Sequence, residues 1–250
     1  MQEKIKQLQE LIDRSNNIVF FGGAGVSTAS GIPDFRSPNG LYSQQTNHKY
    51  SPEFMLSHIF YRDHTKEFFE YYKTEMCALG YEPCETHKKV AELEKAGKIK
   101  AVVTQNIDGL HQLAGSKNVI ELHGTIHKNE CIICGKEFDA LFVKNSKDIP
   151  ICTKCKCKEA IVKPCVTLYE ESLPDGAFEA AEEAIKWADL LIIAGTSLNV
   201  YPAASLIDYF DHDRGHIVLI NKGQTGRNTC ADLVFDTDMN EVFKQIKVNK

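Results

Sequence analysis

The sequence predicts an α/β fold, a doubly wound parallel sheet with a second, small domain formed by insertions. Three observations carry that expectation. Short runs that are apolar at every position recur at 18–21, 101–103, 190–193 and 217–220. Strands buried on both faces belong to parallel sheets covered by helices. Helical patterns separate them, at roughly 84–96, 177–187 and 202–210, with a last one near 239–247. Such alternation argues for β-α-β units. Two stretches break the rhythm, 38–80 and 127–165, and both read as insertions packed together beside the sheet.

In chain order, Ile5, Leu8, Leu11 and Ile12 lie at helical spacing and place a helix over 2–14. Asn16-Asn17 ends it, and Ile18-Val19-Phe20-Phe21 runs as a strand into glycines. Residues 38–80 are rich in aromatics, from Tyr42 to Tyr72, and are expected to be helical. Residues 127–165 hold cysteines with Lys, Asp and Pro between them and show little apolar periodicity. Neither an internal repeat nor a low-complexity linker interrupts the chain.

Composition excludes several classes of protein. Of 250 residues, 43% are hydrophobic and 25% charged, which rules out a wholly disordered or fibrous chain. A net charge of −5 leaves no broad footprint for nucleic acid or anionic membrane and mildly favours a basic partner. No apolar run approaches a bilayer span, Leu190 to Ala194 being among the longest. The charged opening MQEKIKQLQE lacks the apolar core of a secretory signal, so a cytoplasmic protein is expected. Nine cysteines without a signal peptide argue for reduced thiols rather than a disulfide framework. Six of them cluster between 131 and 165.

After the first strand come Gly22-Gly23-Ala24-Gly25-Val26-Ser27-Thr28. Glycines between a strand and a helix let backbone N–H groups and the helix dipole face a pyrophosphate. The spacing is not the usual G-x-G-x-x-G, and a tight strand-to-helix turn would explain it equally well. No acidic residue ends a second strand about twenty residues on, which strains an ordinary dehydrogenase reading.

More specific is Gly31-Ile32-Pro33-Asp34-Phe35-Arg36-Ser37. Together with Gly23-Ala24-Gly25-x-Ser27 it resembles the sirtuin family of NAD-dependent protein deacylases. Thr104-Gln105-Asn106-Ile107-Asp108, Leu122-His123-Gly124, two Cys-x2-Cys knuckles, Gly195-Thr196-Ser197-Leu198 and Ile220-Asn221 match further family motifs in family order. The resemblance covers 18–221 and is to compact, bacterial-type members. It implies a Rossmann-type NAD-binding domain (1–37, 81–126 and 166–250) and a small zinc domain (38–80 and 127–165).

The resemblance also implies roles. The acetyl oxygen of an acetyl-lysine attacks C1′ of the nicotinamide ribose and expels nicotinamide. His123 then activates the 2′-hydroxyl, and water completes the release of free lysine and O-acetyl-ADP-ribose. A histidine titrates near neutrality, which suits this base. Asn106 would hold a water and the ribose, Gln105 the ribose hydroxyls, and Asp108 with Ile107 the carboxamide. Asn106–Asp108 also have the composition of a helix cap. Gly23, Ala24, Gly25 and Thr28 would lie along the dinucleotide. Asp34, Phe35 and Arg36 would form a loop over it, Phe35 shielding C1′ and Arg36 meeting the pyrophosphate or ordering the loop. Pro33-Asp34 is equally good surface-turn chemistry. Gly195, Thr196, Ser197 and Asn221, at strand ends, would take phosphate and the adenosine ribose. Asp238 would approach the adenine or cap the last helix.

Cys131-x2-Cys134 and Cys152-x2-Cys155, seventeen residues apart, are a tetrahedral zinc signal. Four thiolates leave no open position, so the metal would be structural. Cys155/Cys157 is the alternative second knuckle, and the repeated x2 spacing favours Cys152/Cys155. Three features depart from the family pattern: Cys157 two residues after Cys155, Cys165 after Lys163-Pro164, and Glu170 where a glycine usually precedes the glutamate, in Tyr169-Glu170-Glu171. Val166–Tyr169 is expected to be the strand that pairs with a substrate peptide by β-augmentation. Succinyl-preferring members carry Tyr-x-x-Arg in the acyl pocket, and alignment places Tyr72 and Glu75 there. A carboxylate would repel succinyl and leave neutral acetyl unaffected. The expectation is therefore an NAD-dependent protein-lysine deacetylase acting on acetylated proteins, with one structural zinc and neither nucleic acid nor membrane as partner. A sirtuin-fold ADP-ribosyltransferase, a long-chain deacylase and a non-enzymatic NAD sensor are the alternatives.

Overall fold

The computed structural model describes residues 1–38, 40–43, 49–155, 157–223 and 225–249. The chain opens with α1 (Gln2–Arg14), β1 (Ile18–Gly22), and the short helices α2 (Pro52–Met55), α3 (His58–Asp63) and α4 (Thr65–Tyr71). It continues through α5 (Glu85–Lys95), β2 (Ile99–Thr104), α6 (Leu110–Ala114) and β3 (Val119–Glu121). Next come β4 (Gly124–Cys131), β5 (Glu137–Phe138), α7 (Ala140–Lys144) and β6 (Val162–Val166). The last part is α8 (Ala177–Lys186), β7 (Leu190–Ala194), β8 (His216–Asn221), β9 (Leu233–Asp236) and α9 (Met239–Phe243).

Six strands form one parallel sheet in the order β3-β2-β1-β7-β8-β9. Alternate residues face opposite sides of a strand, and both sides are covered. Phe20, Val102, Ile192 and Val218 pack with Leu8 of α1, Val90 and Leu93 of α5, and Phe243 of α9. Val19, Phe21, Val103, Leu191 and Leu219 pack with Ile185 of α8 and Leu206. The strand order reverses between β1 and β7, which opens a crevice beyond their C-terminal ends. Register makes those ends level: Gly22 lies beside both Thr104 and Ala194, Thr104 beside Glu121, and Ala194 beside Ile220.

A second, antiparallel sheet, β5-β4-β6, carries the cysteines. It shares a core with the aromatic insertion, in which Phe60, Phe68, Phe69 and Tyr72 meet Ile126, Val143 and Val162. The helical expectation for 38–80 holds over 52–71, followed by a π-helical turn at Tyr72–Met76. Its portion at 39 and 44–48 lies outside the described residues.

Three elements differ from expectation. The segment Ala203–Tyr209 is a 3-10 helix. Residues i and i+3 eclipse in that geometry, so Ala203 stacks over Leu206 and Ala204 over Ile207, all four buried against the sheet. The last helix stops at Phe243, because Gln245 and Ile246 donate to Val242 and Phe243 three residues back. β6 ends at Val166, and Val166–Tyr169 is not a continuous strand. There Thr167 N–H donates to the His123 carbonyl, and Tyr169 turns to the chain beside Ser57. Among the described residues, no helix is long and apolar enough to cross a membrane.

Candidate active site

Because β1, β2, β3, β7 and β8 end level, the segments that follow them meet along one edge. Gly23 N–H donates to the Ala194 carbonyl and Gly25 N–H to that of Gly195, at 3.0 and 2.8 Å. The approach requires glycine on both sides. A Cβ on Gly25 would sit 2.8 Å from the Gly195 Cα, and Gly195 itself has φ 62°, the left-handed region that glycine tolerates. Instead of an α-helix, two single 3-10 turns follow, Ala24–Val26 and Thr28–Ser30. The expected helix dipole behind the glycines is therefore absent here. The Gly25 amide is already taken by Gly195, and left-handed Gly31 (φ 95°) ends the second turn. Thr28 is exposed, its hydroxyl donating to the Gly25 carbonyl at 2.9 Å.

At the end of β2, Thr104 Oγ1 accepts from the Asn106 amide. The Asn106 side-chain amide donates to the Ser27 hydroxyl at 3.0 Å, and that hydroxyl donates to Asp108 Oδ2 at 2.6 Å. Asp108 Oδ1 accepts the Leu110 N–H, so the cap expected here exists inside the cluster. Asn106, Asp108 and Ser27 are all buried. Gln105 spans to the next strand, its amide donating to Thr196 Oγ1 at 2.9 Å. Ile107 packs toward the small-domain core, and its carbonyl accepts from Ile126.

His123 lies two residues past β3 and is half-buried. Its Nδ1 is 3.0 Å from the Gln105 carbonyl. A carbonyl oxygen only accepts, so Nδ1 carries the proton and Nε2 keeps its lone pair. Burial holds the imidazole below the ordinary histidine pKa, against a smaller opposing effect of the Gln105 bond. Gly124 follows with φ 71°, where a Cβ would lie 2.0 Å from the Cys165 carbonyl.

Asp34 Oδ1 accepts from Ser37 N–H at 2.9 Å, as a turn residue would. Phe35 packs against Tyr42 with ring centroids 5.4 Å apart and planes tilted by 57°, while exposed Arg36 reaches the Tyr169 hydroxyl at 3.3 Å. Ser197 follows Thr196 at the rim. Asn221 curls onto the Gly223 carbonyl. Asp238 caps α9, accepting from the Asn240 amide at 2.8 Å. Tyr72 is buried and stacked on Phe68, and Glu75 is half-buried on the same turn.

Sequence reasoning quoted Ser27 within a motif without giving it a role, yet this hydroxyl joins Asn106 to Asp108. Its signal was a lone hydroxyl after Gly-Ala-Gly. Glu170 takes the left-handed region at φ 74°, costing on the order of 1 kcal/mol. Its carboxylate accepts from Ile59 N–H at 3.1 Å, which offsets that strain.

Cys131, Cys134, Cys152 and Cys155 bring their sulfurs within 4.8 Å of one another. Two of the pairs stand 3.9 and 3.8 Å apart. Zinc–sulfur bonds of 2.3 Å in a tetrahedron give edges of about 3.8 Å, so the donor set fits zinc closely. Cys157 lies outside the cluster, which favours Cys152/Cys155 as the second knuckle.

Comparison with known proteins matches this arrangement. A protein of Clostridium acetobutylicum named NAD-dependent protein deacetylase is 52% identical over 245 residues, 98% of either chain. One of Thermotoga maritima with the same name is 37% identical over 247 residues, 97% of each. Among solved structures, a Sir2 protein with deacetylated p53 peptide and 3′-O-acetyl ADP-ribose superposes with TM-score 0.88 at 36% identity, covering 96% of each chain. A Sir2–p53 peptide–NAD+ structure gives 0.83 at 36% identity, again over 96% of each. The Sir2 family model matches residues 23–202, from the glycine loop to the turn beyond β7. With both its full-length relatives and its strand-end cluster in agreement, the chain belongs to the Sir2 family.

Proposed function

We propose that the chain is an NAD-dependent protein-lysine deacetylase whose substrates are acetylated proteins. The observation that carries this reading is the orientation of His123. The Gln105 carbonyl fixes its proton on Nδ1 and leaves Nε2 basic, and Gln105 directly precedes Asn106 of the Asn106–Ser27–Asp108 network. NAD supplies an electrophilic ribose carbon and carries the acetyl group away as O-acetyl-ADP-ribose, with nicotinamide and free lysine as the other products.

The chain's residues do the remaining work. His123 Nε2 takes the ribose hydroxyl proton. Asn106, Gln105 and Asp108, with Ile107, orient the nicotinamide riboside and its water. Gly23, Ala24, Gly25 and Thr28 line the pyrophosphate, with Gly195, Thr196 and Ser197 opposite. Asn221 meets the adenosine ribose, and Asp238 stands near the adenine through its helix. The Asp34–Arg36 loop excludes water. The four cysteines would hold a zinc as a structural ion, their thiolates leaving it no open position. We divide the chain into a Rossmann-type domain (1–37, 81–126, 166–250) and a small domain (38–80, 127–165). None of the nine cysteines is paired in a disulfide, which suits a cytoplasmic location.

Mass spectrometry after incubation with NAD and an acetyl-lysine peptide tests this reading. Wild type is expected to release nicotinamide and O-acetyl-ADP-ribose, and His123→Ala to lose at least about 100-fold in rate. NAD consumption with the acetyl group retained would point to ADP-ribosyl transfer. Survival of NAD beside folded, zinc-loaded protein would refute the enzyme reading. Acetyl peptides are expected to outrun succinyl peptides, since Glu75 would repel the added carboxylate.

A further inference from the structure

Two loops far apart in sequence meet at a pair of phenols. Tyr42 and Tyr169 are 127 positions apart, yet their hydroxyls lie 3.1 Å from each other. Arg36 Nη2 also donates to the Tyr169 hydroxyl, and its guanidinium sits 5.4 Å from the centre of the Tyr42 ring. The two loops are anchored differently. Tyr169 is held by its backbone, its N–H donating to Leu56 and its carbonyl accepting from His58. Tyr42 is tied to the loop of Asp34–Arg36: its N–H donates to the Phe35 carbonyl at 2.8 Å, and Leu41 N–H to that of Asp34 at 2.8 Å. Among the described residues, a backbone-anchored segment and a surface loop are thereby joined through side chains. Tyr42 is half-buried, and burial first, then Tyr169, raises its phenol far above the ordinary value. It stays neutral.

We propose that Tyr169 is a positioning residue whose hydroxyl latches Tyr42, and with it the Asp34–Arg36 turn that Leu41 and Tyr42 are bonded to, over the NAD site. The inference rests on the functional reading above, in which that loop covers the dinucleotide, and on the expectation that a substrate peptide pairs along Val166–Tyr169. The latch joins those two seats. Ordering the peptide segment steadies the loop, and by linkage a bound dinucleotide steadies the peptide segment. Arg36 is drawn to Tyr169, so its first role is to close the loop.

Tyr169→Phe removes the hydroxyl alone and leaves ring and backbone in place. NAD affinity by calorimetry and tryptic cleavage after Arg36 in the NAD-free protein are compared for wild type, Tyr169→Phe, Tyr42→Phe and the double variant. Each single variant is expected to bind NAD about 3- to 10-fold more weakly, the worth of about one hydrogen bond. Each should also be cleaved after Arg36 several-fold faster, with an unchanged melting temperature. The double variant should be no worse than Tyr169→Phe, because the contact that Tyr42→Phe removes is already lost with the Tyr169 hydroxyl. Unchanged cleavage after Arg36 in Tyr169→Phe would overturn the latch, as would additive effects in the double variant. If wild type binds no NAD, the functional reading fails, while the cleavage rates still decide whether the hydroxyl pair holds the loop.

Discussion

His123 shows how one backbone contact selects a chemical state. The Gln105 carbonyl fixes the tautomer, and burial disfavours the imidazolium. Only the neutral ring offers Nε2 a lone pair. Activity should therefore rise with pH through a midpoint below the ordinary histidine value of about 6.5 and be level above it. A kcat/KM profile from pH 5 to 8 checks this, and a midpoint above 6.5 would contradict it. Its neighbour Gly124 is set by space, since a Cβ there would strike the Cys165 carbonyl. Gly124→Ala is expected to lose about 3 kcal/mol in urea unfolding, from left-handed strain and overpacking together. Leu122-His123-Gly124 was legible as a motif. The Ser27 bridge was not, because a hydroxyl's partner 79 and 81 residues away leaves no local pattern.

At the scale of elements, the small domain depends on its metal. Three short strands cannot bury enough apolar surface alone, and four thiols closing two turns supply the missing constraint. Removing zinc with a chelator, or Cys152→Ser, should deprotect the amides of β4, β6 and the helices over 52–71 together, since they share one core. β1, β2, β7 and β8 should stay protected. Hydrogen exchange reads both groups at once, and loss of protection across both sheets would count against separate cores. The knuckles were visible because metal ligation imposes spacing. The antiparallel strands between them were not, because β5 is two residues long and carries no period. Likewise, amphipathic spacing located Ala203–Tyr209 but could not tell α from 3-10, which packing against the sheet decides.

For the whole molecule, a buried histidine pair sets acid sensitivity. His87 and His111 stand with ring centroids 4.7 Å apart, both nearly inaccessible. Burial pushes His87 down to about 4 and His111 well below its ordinary value. Unfolded histidines take up protons near 6.5, so the native state is the one that resists protonation. Its stability is full above about 6.5 and is lost as pH falls toward 4. The urea midpoint should fall more steeply over that window in wild type than in His111→Leu, and equal slopes would argue against the pair. The same scale separates what was legible from what was not. Apolar runs, ligand spacing and glycines act over a few residues, so the parallel sheet, the zinc ligands and the order of the NAD motifs are written in the chain. How those motifs work together follows from the fold. Level strand ends bring Gly23, Gln105, His123 and Thr196 to one edge, Ser27 joins Asn106 to Asp108, and Tyr169 meets Tyr42. These contacts depend on register and close packing across the whole sheet, which no local stretch of chain encodes.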